Sequence, residues 1–170
     1  MTSIDSLLRD IFSAPTAPYR EAWVMDKIER HLKRLHSPYV TDSSGNIIAG
    51  VGSLKELKKS RRVALVAHTD HPGFHILKVL KKNRALAQWH GGCPPVMKNA
   101  PFAIYHPSFP GVKIKGRCLS RLVDRDKNSK FEIQFSENSP FEVNSLCFGA
   151  FDYPGYKRSK TKIISRAADD

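Results

Sequence analysis

The segment VALVAHTDHPGFHI, residues 63–76, decides how the rest of the chain is read. Val63, Ala64, Leu65, Val66 and Ala67 are apolar on both faces of an extended segment, the pattern of a central strand covered on both sides. His68 then stands at that strand's carboxyl end, followed by Asp70, His71 and a Pro72-Gly73 turn. Side chains i and i+2 of an extended segment share one side, so Asp70 can accept a hydrogen bond from the His68 ring and fix its tautomer. A metal-ligand histidine with a supporting carboxylate has this form. So does an ordinary surface His-Asp pair at a strand end, and the tripeptide alone favours the latter.

Upstream, Ile4, Leu7, Leu8, Ile11 and Phe12 recur at helical spacing, with Ser3 placed as an N-cap. Pro15 and Pro18 break that helix. A second helix is predicted over residues 20–35, with Val24, Ile28, Leu32 and Leu35 as its apolar stripe. His31 and His36, near its C-terminal end, read as structural residues that complement the helix dipole. YVTDSSGNIIAGV predicts a hairpin turning at Ser44-Gly45-Asn46. The polar SLKELKKSRR reads as a connector into the 63–67 strand.

Downstream, helical periodicity disappears. Short apolar runs, FHILKVL, ALAQW, FAIY, VKIKGRCL and FEIQF, alternate with turn clusters such as HGGCPP, HPSFPG, DRDKNS and SENSP. They predict a compact β barrel or sandwich. KTKIIS reads as a strand that returns towards the first part of the chain and leads into Arg166-Ala167-Ala168-Asp169-Asp170. His71, His75, His90 and His106 lack ligand spacing and read as polar surface or turn residues.

Composition bounds the partners. The chain has 170 residues, 41% of them hydrophobic and 26% charged, enough for a packed core. No apolar run approaches the roughly 18 residues of a membrane helix, and MTSIDSLLRD carries charges where a signal peptide is apolar. A soluble, cytoplasmic protein is expected, with no membrane partner. Cys93, Cys118 and Cys147 lack CxxC spacing and read as reduced thiols rather than a thiolate zinc site or a disulfide framework. The net charge of +12 would suit nucleic acid. The basic residues are nevertheless scattered in short groups without a nucleic-acid-binding motif, so nucleic acid is not the expected partner.

The order of these elements carries more than any one of them. A helix pair, the Asp42-Ser43-Ser44-Gly45-Asn46 hairpin, an apolar strand ending in His-x-Asp-x-x-Gly-Phe, an inserted β module with GG and FPGVKIKG, and a returning strand ending in Ala-Asp-Asp follow one another. In this the chain resembles the amino-terminal half of dinuclear zinc aminopeptidases of the M42 glutamyl or tetrahedral type, with M20 and M28 metallopeptidases as more distant relatives. The resemblance runs over essentially all 170 residues.

It implies an α/β fold: a partial zinc-peptidase domain from residues 1–72 and 164–170, interrupted at 73–163 by a small β-barrel domain that serves dimerisation and higher assembly. It implies His68 as a zinc ligand, Asp70 as its orienting catalytic carboxylate, and Asp169 as the carboxylate bridging two Zn2+ ions, with Co2+ or Mn2+ able to replace zinc. Asp170 would follow Asp169 across a cis peptide bond. Two cations about 3.5–4 Å apart need a shared carboxylate, and together they activate water and polarise a scissile carbonyl. Peptide substrates, hydrolysis of N-terminal peptide bonds and a homo-oligomer are the corresponding expectations.

One departure stands at the rim, where His71 and Pro72 follow Asp70 in place of the acidic residue common in the family. A larger one is that the family's general-base Glu and remaining ligands lie beyond the Asp-Asp pair. One histidine and one bridging aspartate fall short of the three protein ligands of even a single catalytic zinc. The 170 residues are therefore expected to be a truncated half, inert alone. The rival reading is a non-enzymatic assembly or binding module that uses the β domain as its interface.

Overall fold

The computed structural model describes residues 4–59, 63–92, 98–123, 129–152, 157–158 and 163–164. Helix α1 spans Ile4–Phe12 and α2 spans Ala22–Arg34. Both follow the predicted periodicity, and Val24 is buried as the stripe requires. Leu35 departs from it, since it caps α2 and is 64% exposed. The proposed N-cap Ser3 lies outside the described residues.

What fastens α1 to α2 is polar. Asp10 accepts hydrogen bonds from Lys27 Nζ and, at 2.8 Å, from His31 Nε2. The other ring nitrogen of His31 faces the Arg34 guanidinium, which can only donate. His31 is thus structural, as expected, but acts through a partly buried bond between helices rather than through the helix dipole. The Asp10 carboxyl is held below the ordinary carboxylate range, first by the Lys27 hydrogen bond and also by His31.

The hairpin forms as read: β1 (Tyr39–Thr41) pairs antiparallel with β2 (Ile47–Ala49). Asp42 Oδ1 accepts the amide hydrogens of Ser44 and Asn46, both at 2.9 Å, and Gly45 takes φ +86°, a left-handed conformation a side chain would strain. The connector contains an unpredicted helix, α3 (Leu54–Lys59). Its signal was a capping pair: Ser53 Oγ accepts the Glu56 N–H at 3.1 Å, and Glu56 reaches back to the Gly52 N–H at 2.9 Å.

The β module is a closed antiparallel barrel of β3 (Gly73–Lys81), β4 (Arg84–His90), β5 (Pro101–Tyr105), β6 (Ile114–Val123), β7 (Ser129–Phe135) and β8 (Phe148–Phe151). The strand order round the wall is β3-β4-β7-β6-β5-β8, and β8 closes on β3. The sequence had signalled the first five. The last, CFGAF, was missed because it is short and holds Gly149, yet that glycine is what permits closure. A Cβ there would lie 2.3 Å from a Phe74 ring carbon and 2.4 Å from the Ala103 carbonyl oxygen.

Alternation fills the barrel. Phe74, Ile76, Ala87, Trp89, Phe102, Ile104, Phe131 and Ile133 point inward and are buried. The Phe74 ring meets Phe102 at 4.9 Å and Phe131 at 5.5 Å between centroids. Strand β5 is buried on both faces, because its outward residues Ala103 and Tyr105 are covered by Ala17 and Trp23 of the helical segment. His106, expected at the surface, is buried beside Phe109 and Phe141, with Nδ1 accepting the Ser108 N–H. Cys118 and Cys147 are buried free thiols, while Cys93 lies outside the described residues.

The 63–67 reading is the main correction. Residues 63–70 join no strand, and Val63, Leu65 and Val66 are 93%, 99% and 92% exposed. The physical reason is a missing neighbour: a central strand exists only when adjacent strands take its N–H and C=O groups, and no described strand pairs with this segment. Nor does the described part of the return segment reach it. Strand β10 (Ile163–Ile164) pairs instead with β9 (Lys157–Arg158). Among the described residues no helix is long and apolar enough to cross a membrane.

Candidate metal-binding rim

The segment that leaves 63–67 turns into the barrel at Pro72 and Gly73. Gly73 is in close contact there: a Cβ would lie 2.8 Å from both the Ala17 methyl and the Gly149 carbonyl oxygen. Gly91, at φ +84°, sits against Pro72 from the end of β4. Glycines at the start of β3 and just past β4 thus let the turn press against the barrel, a few residues after His68 and Asp70 in the chain.

The His68 Nδ1 is 3.0 Å from Asp70 Oδ1 and 3.1 Å from the Asp70 carbonyl oxygen. Both oxygens accept, so Nδ1 carries a proton, and in the neutral ring the lone pair is then on Nε2. This is the geometry that the i, i+2 spacing predicts. The pair is partly open to water, with side-chain exposures of 59% and 36%. An exposed pair of this kind orients a ring without building a cavity round it.

Among the described residues, no group of three or more His, Cys, Asp or Glu is placed to hold a metal ion. Asp169, Asp170 and the peptide bond between them lie outside the described residues. His68 with its carboxylate suits one zinc ligand and its support, but the described donors do not suffice for a metal centre.

His75 and His90, set aside as ordinary polar residues, lie together on the outer wall beside this rim. Their ring centroids are 5.0 Å apart, and Tyr19 stands edge-on to each at 6.4 and 6.3 Å. The signal in the sequence was only positional: each lies on an outward-facing position of adjacent strands.

No protein-family model matches the chain, and no curated protein matches it. Among solved structures it is similar to PhTET1-12s, solved with a dodecamer in the asymmetric unit, with a TM-score of 0.68 and 18% sequence identity. The match covers 93% of this chain and 48% of that one, so the chain spans about half the length of its structural neighbour. At this identity the likeness is one of fold.

Proposed function

We propose that the chain is the amino-terminal part of a metal-dependent aminopeptidase of the tetrahedral, dinuclear type. The observation that carries the reading is the Asp70-oriented His68 just before the barrel in the chain, in a fold shared along most of the chain with PhTET1-12s. In this reading His68 binds a zinc ion through Nε2, Asp70 holds its tautomer and orientation, and Asp169 is the bridging carboxylate. Zinc would supply Lewis acidity and a water made acidic enough to attack an N-terminal peptide bond. His68 and Asp169 together fall short of the three protein ligands of a catalytic zinc, so this reading expects these 170 residues alone to be inactive. His71 stands where the family usually has an acidic rim residue, and this change bears on which N-terminal residue is accepted.

The test is release of N-terminal residues from short peptides by a gene product that extends past Asp170, assayed with and without chelator. Chelator-sensitive release that His68→Ala abolishes supports the proposal. Absent cleavage, or cleavage indifferent to both treatments, overturns it. The isolated chain should be inert in either case.

A second reading is an assembly module. Leu77, Val79 and Leu80, on the far half of β3, are 40–44% exposed apolar residues of one strand. Defined oligomers by sedimentation, lost on Leu77→Asp and independent of zinc, would favour it.

A further inference from the structure

The helical segment meets the barrel along one seam, and that seam contains two imidazoles. Phe74 and Ile76 of β3 and Ala87 and Trp89 of β4 point inward, so His75 and His90 project outward. The ladder pairs His75 with Gln88 and Gly73 with His90, which makes the two histidines diagonal neighbours. His75 Nε2 donates to the Pro18 carbonyl at 2.6 Å, tying the linker before α2 to the barrel wall. Tyr19 follows with φ +67°, a backbone conformation disfavoured for a tyrosine, and that turn sets its ring against both imidazoles. Next to this contact, Ala17 and Trp23 pack on Ala103, Tyr105 and Phe148.

Among the described residues, few charged groups lie on the elements packed against the two rings. The linker and the start of α2 bring Tyr19, Arg20 and Glu21, and the Glu21 carboxylate accepts the Tyr19 N–H at 2.7 Å. Strand β7 brings Lys130, the ladder partner of Gln88 two residues from His90. Strand β8 brings Phe148 and Gly149, which carry no charge. A second proton on the pair would therefore put like charges side by side in a partly buried seam.

We propose that the His75–His90 pair makes the seam between the helical segment and the barrel proton-sensitive, so that mild acidification loosens the 14–20 linker and Trp23 from the barrel wall. The inference is independent of the peptidase reading. Burial, and secondarily the charge of His75, hold the His90 imidazole below its ordinary value. The closed seam thus binds fewer protons than the open one. Closure is strongest above the ordinary histidine pKa, near about 6.5, and weakens as pH falls through and below it, by about tenfold for each unit separating the open and closed values.

The chain has two tryptophans, Trp23 at the seam and Trp89 inside the barrel, whose indole N–H donates to the Gly92 carbonyl at 2.9 Å. Their indole resonances in the full chain, followed from pH 8 to pH 5, separate the seam from the barrel. Trp23 should shift or broaden below about pH 6.5 while Trp89 stays fixed. His90→Gln should remove the Trp23 transition, and His75→Asn should weaken it. If Trp89 shows that His90→Gln has unfolded the barrel, His75→Asn decides. A Trp23 signal unchanged over this range in the unaltered chain, or a transition that survives both substitutions, overturns the proposal.

Discussion

Strand β5, PFAIY, and the segment VALVA at 63–67 are about equally apolar, yet one is buried on both faces and the other stands in water. The difference lies in what surrounds them. Strand β5 has β6 on one side and β8 on the other, the barrel interior beneath and Ala17 with Trp23 above. Each backbone group of β5 that points along the wall has a strand to meet. Residues 63–67 have no ladder among the described residues. An apolar run states that a segment can be a buried strand; only neighbours with matching free N–H and C=O groups make it one. The barrel supplies all its own neighbours, so it is complete within this chain. The segment before it finds no such neighbours among the described residues.

That contrast predicts where substitutions are costly. Phe102 is fully buried against Phe74, Phe131 and Phe151, so Phe102→Ala should lower barrel stability by about 3–5 kcal/mol in denaturant titration. Gly149→Ala should cost about 1–3 kcal/mol or more, because the new methyl meets Phe74 and the Ala103 carbonyl rather than open space. An unchanged midpoint for either variant would mean that β8 does not close the barrel in solution.

The barrel was legible because its evidence is local. Alternation in ALAQW and FEIQF, with turn clusters between the runs, reports which residues face inward whatever the partner. The hairpin was legible for the same reason, since Asp42 and Gly45 build its turn within five residues. Strand β8 was not, because its role depends on Gly149 fitting under Phe74, a contact 75 residues distant in the chain. The bare state of 63–67 was hidden in the opposite way: its composition describes a surrounding sheet that the described residues do not contain. At the candidate site the i, i+2 spacing told correctly that His68 and Asp70 meet. The seam histidines escaped notice because the element that covers them, the 14–20 linker, carries no periodic signal.

A smaller effect is expected where the helices join. Asp10→Asn removes the negative charge and one of the two acceptor oxygens that Lys27 and His31 use, but the carboxylate is 43% exposed, so water screens much of the loss. A cost of about 0.2–1 kcal/mol is expected, confined to α1 and α2. Its sign with pH follows from the depressed Asp10 carboxyl. The contribution is present above the ordinary carboxylate value, about 3.9, and fades as pH falls through the folded value. Native-state hydrogen exchange should show faster exchange in α1 for the variant near neutrality and a shrinking difference in acid. A uniform loss of protection across the barrel would show that the two parts unfold as one.

The smallest effect sharpens the comparison most. Leu65 is as apolar as Ile104, but at 99% exposure it has no packing to lose. Leu65→Asp in this chain should leave barrel stability within about 0.5 kcal/mol of the parent, the range of ordinary surface substitutions, and should raise solubility by charging an unpaired apolar segment. In a gene product extended past Asp170, under the peptidase reading, the same change should abolish activity and lower stability by several kcal/mol, since a carboxylate would then enter a covered strand. The pair of measurements separates two accounts of one sequence. Equal indifference in both proteins would mean that 63–67 is a surface segment whose apolar run signifies nothing structural. Equal damage in both would mean that the short chain already covers the segment in solution. Only an effect that appears with the longer protein identifies VALVA as a strand awaiting its sheet, with His68 held at the end of it by Asp70.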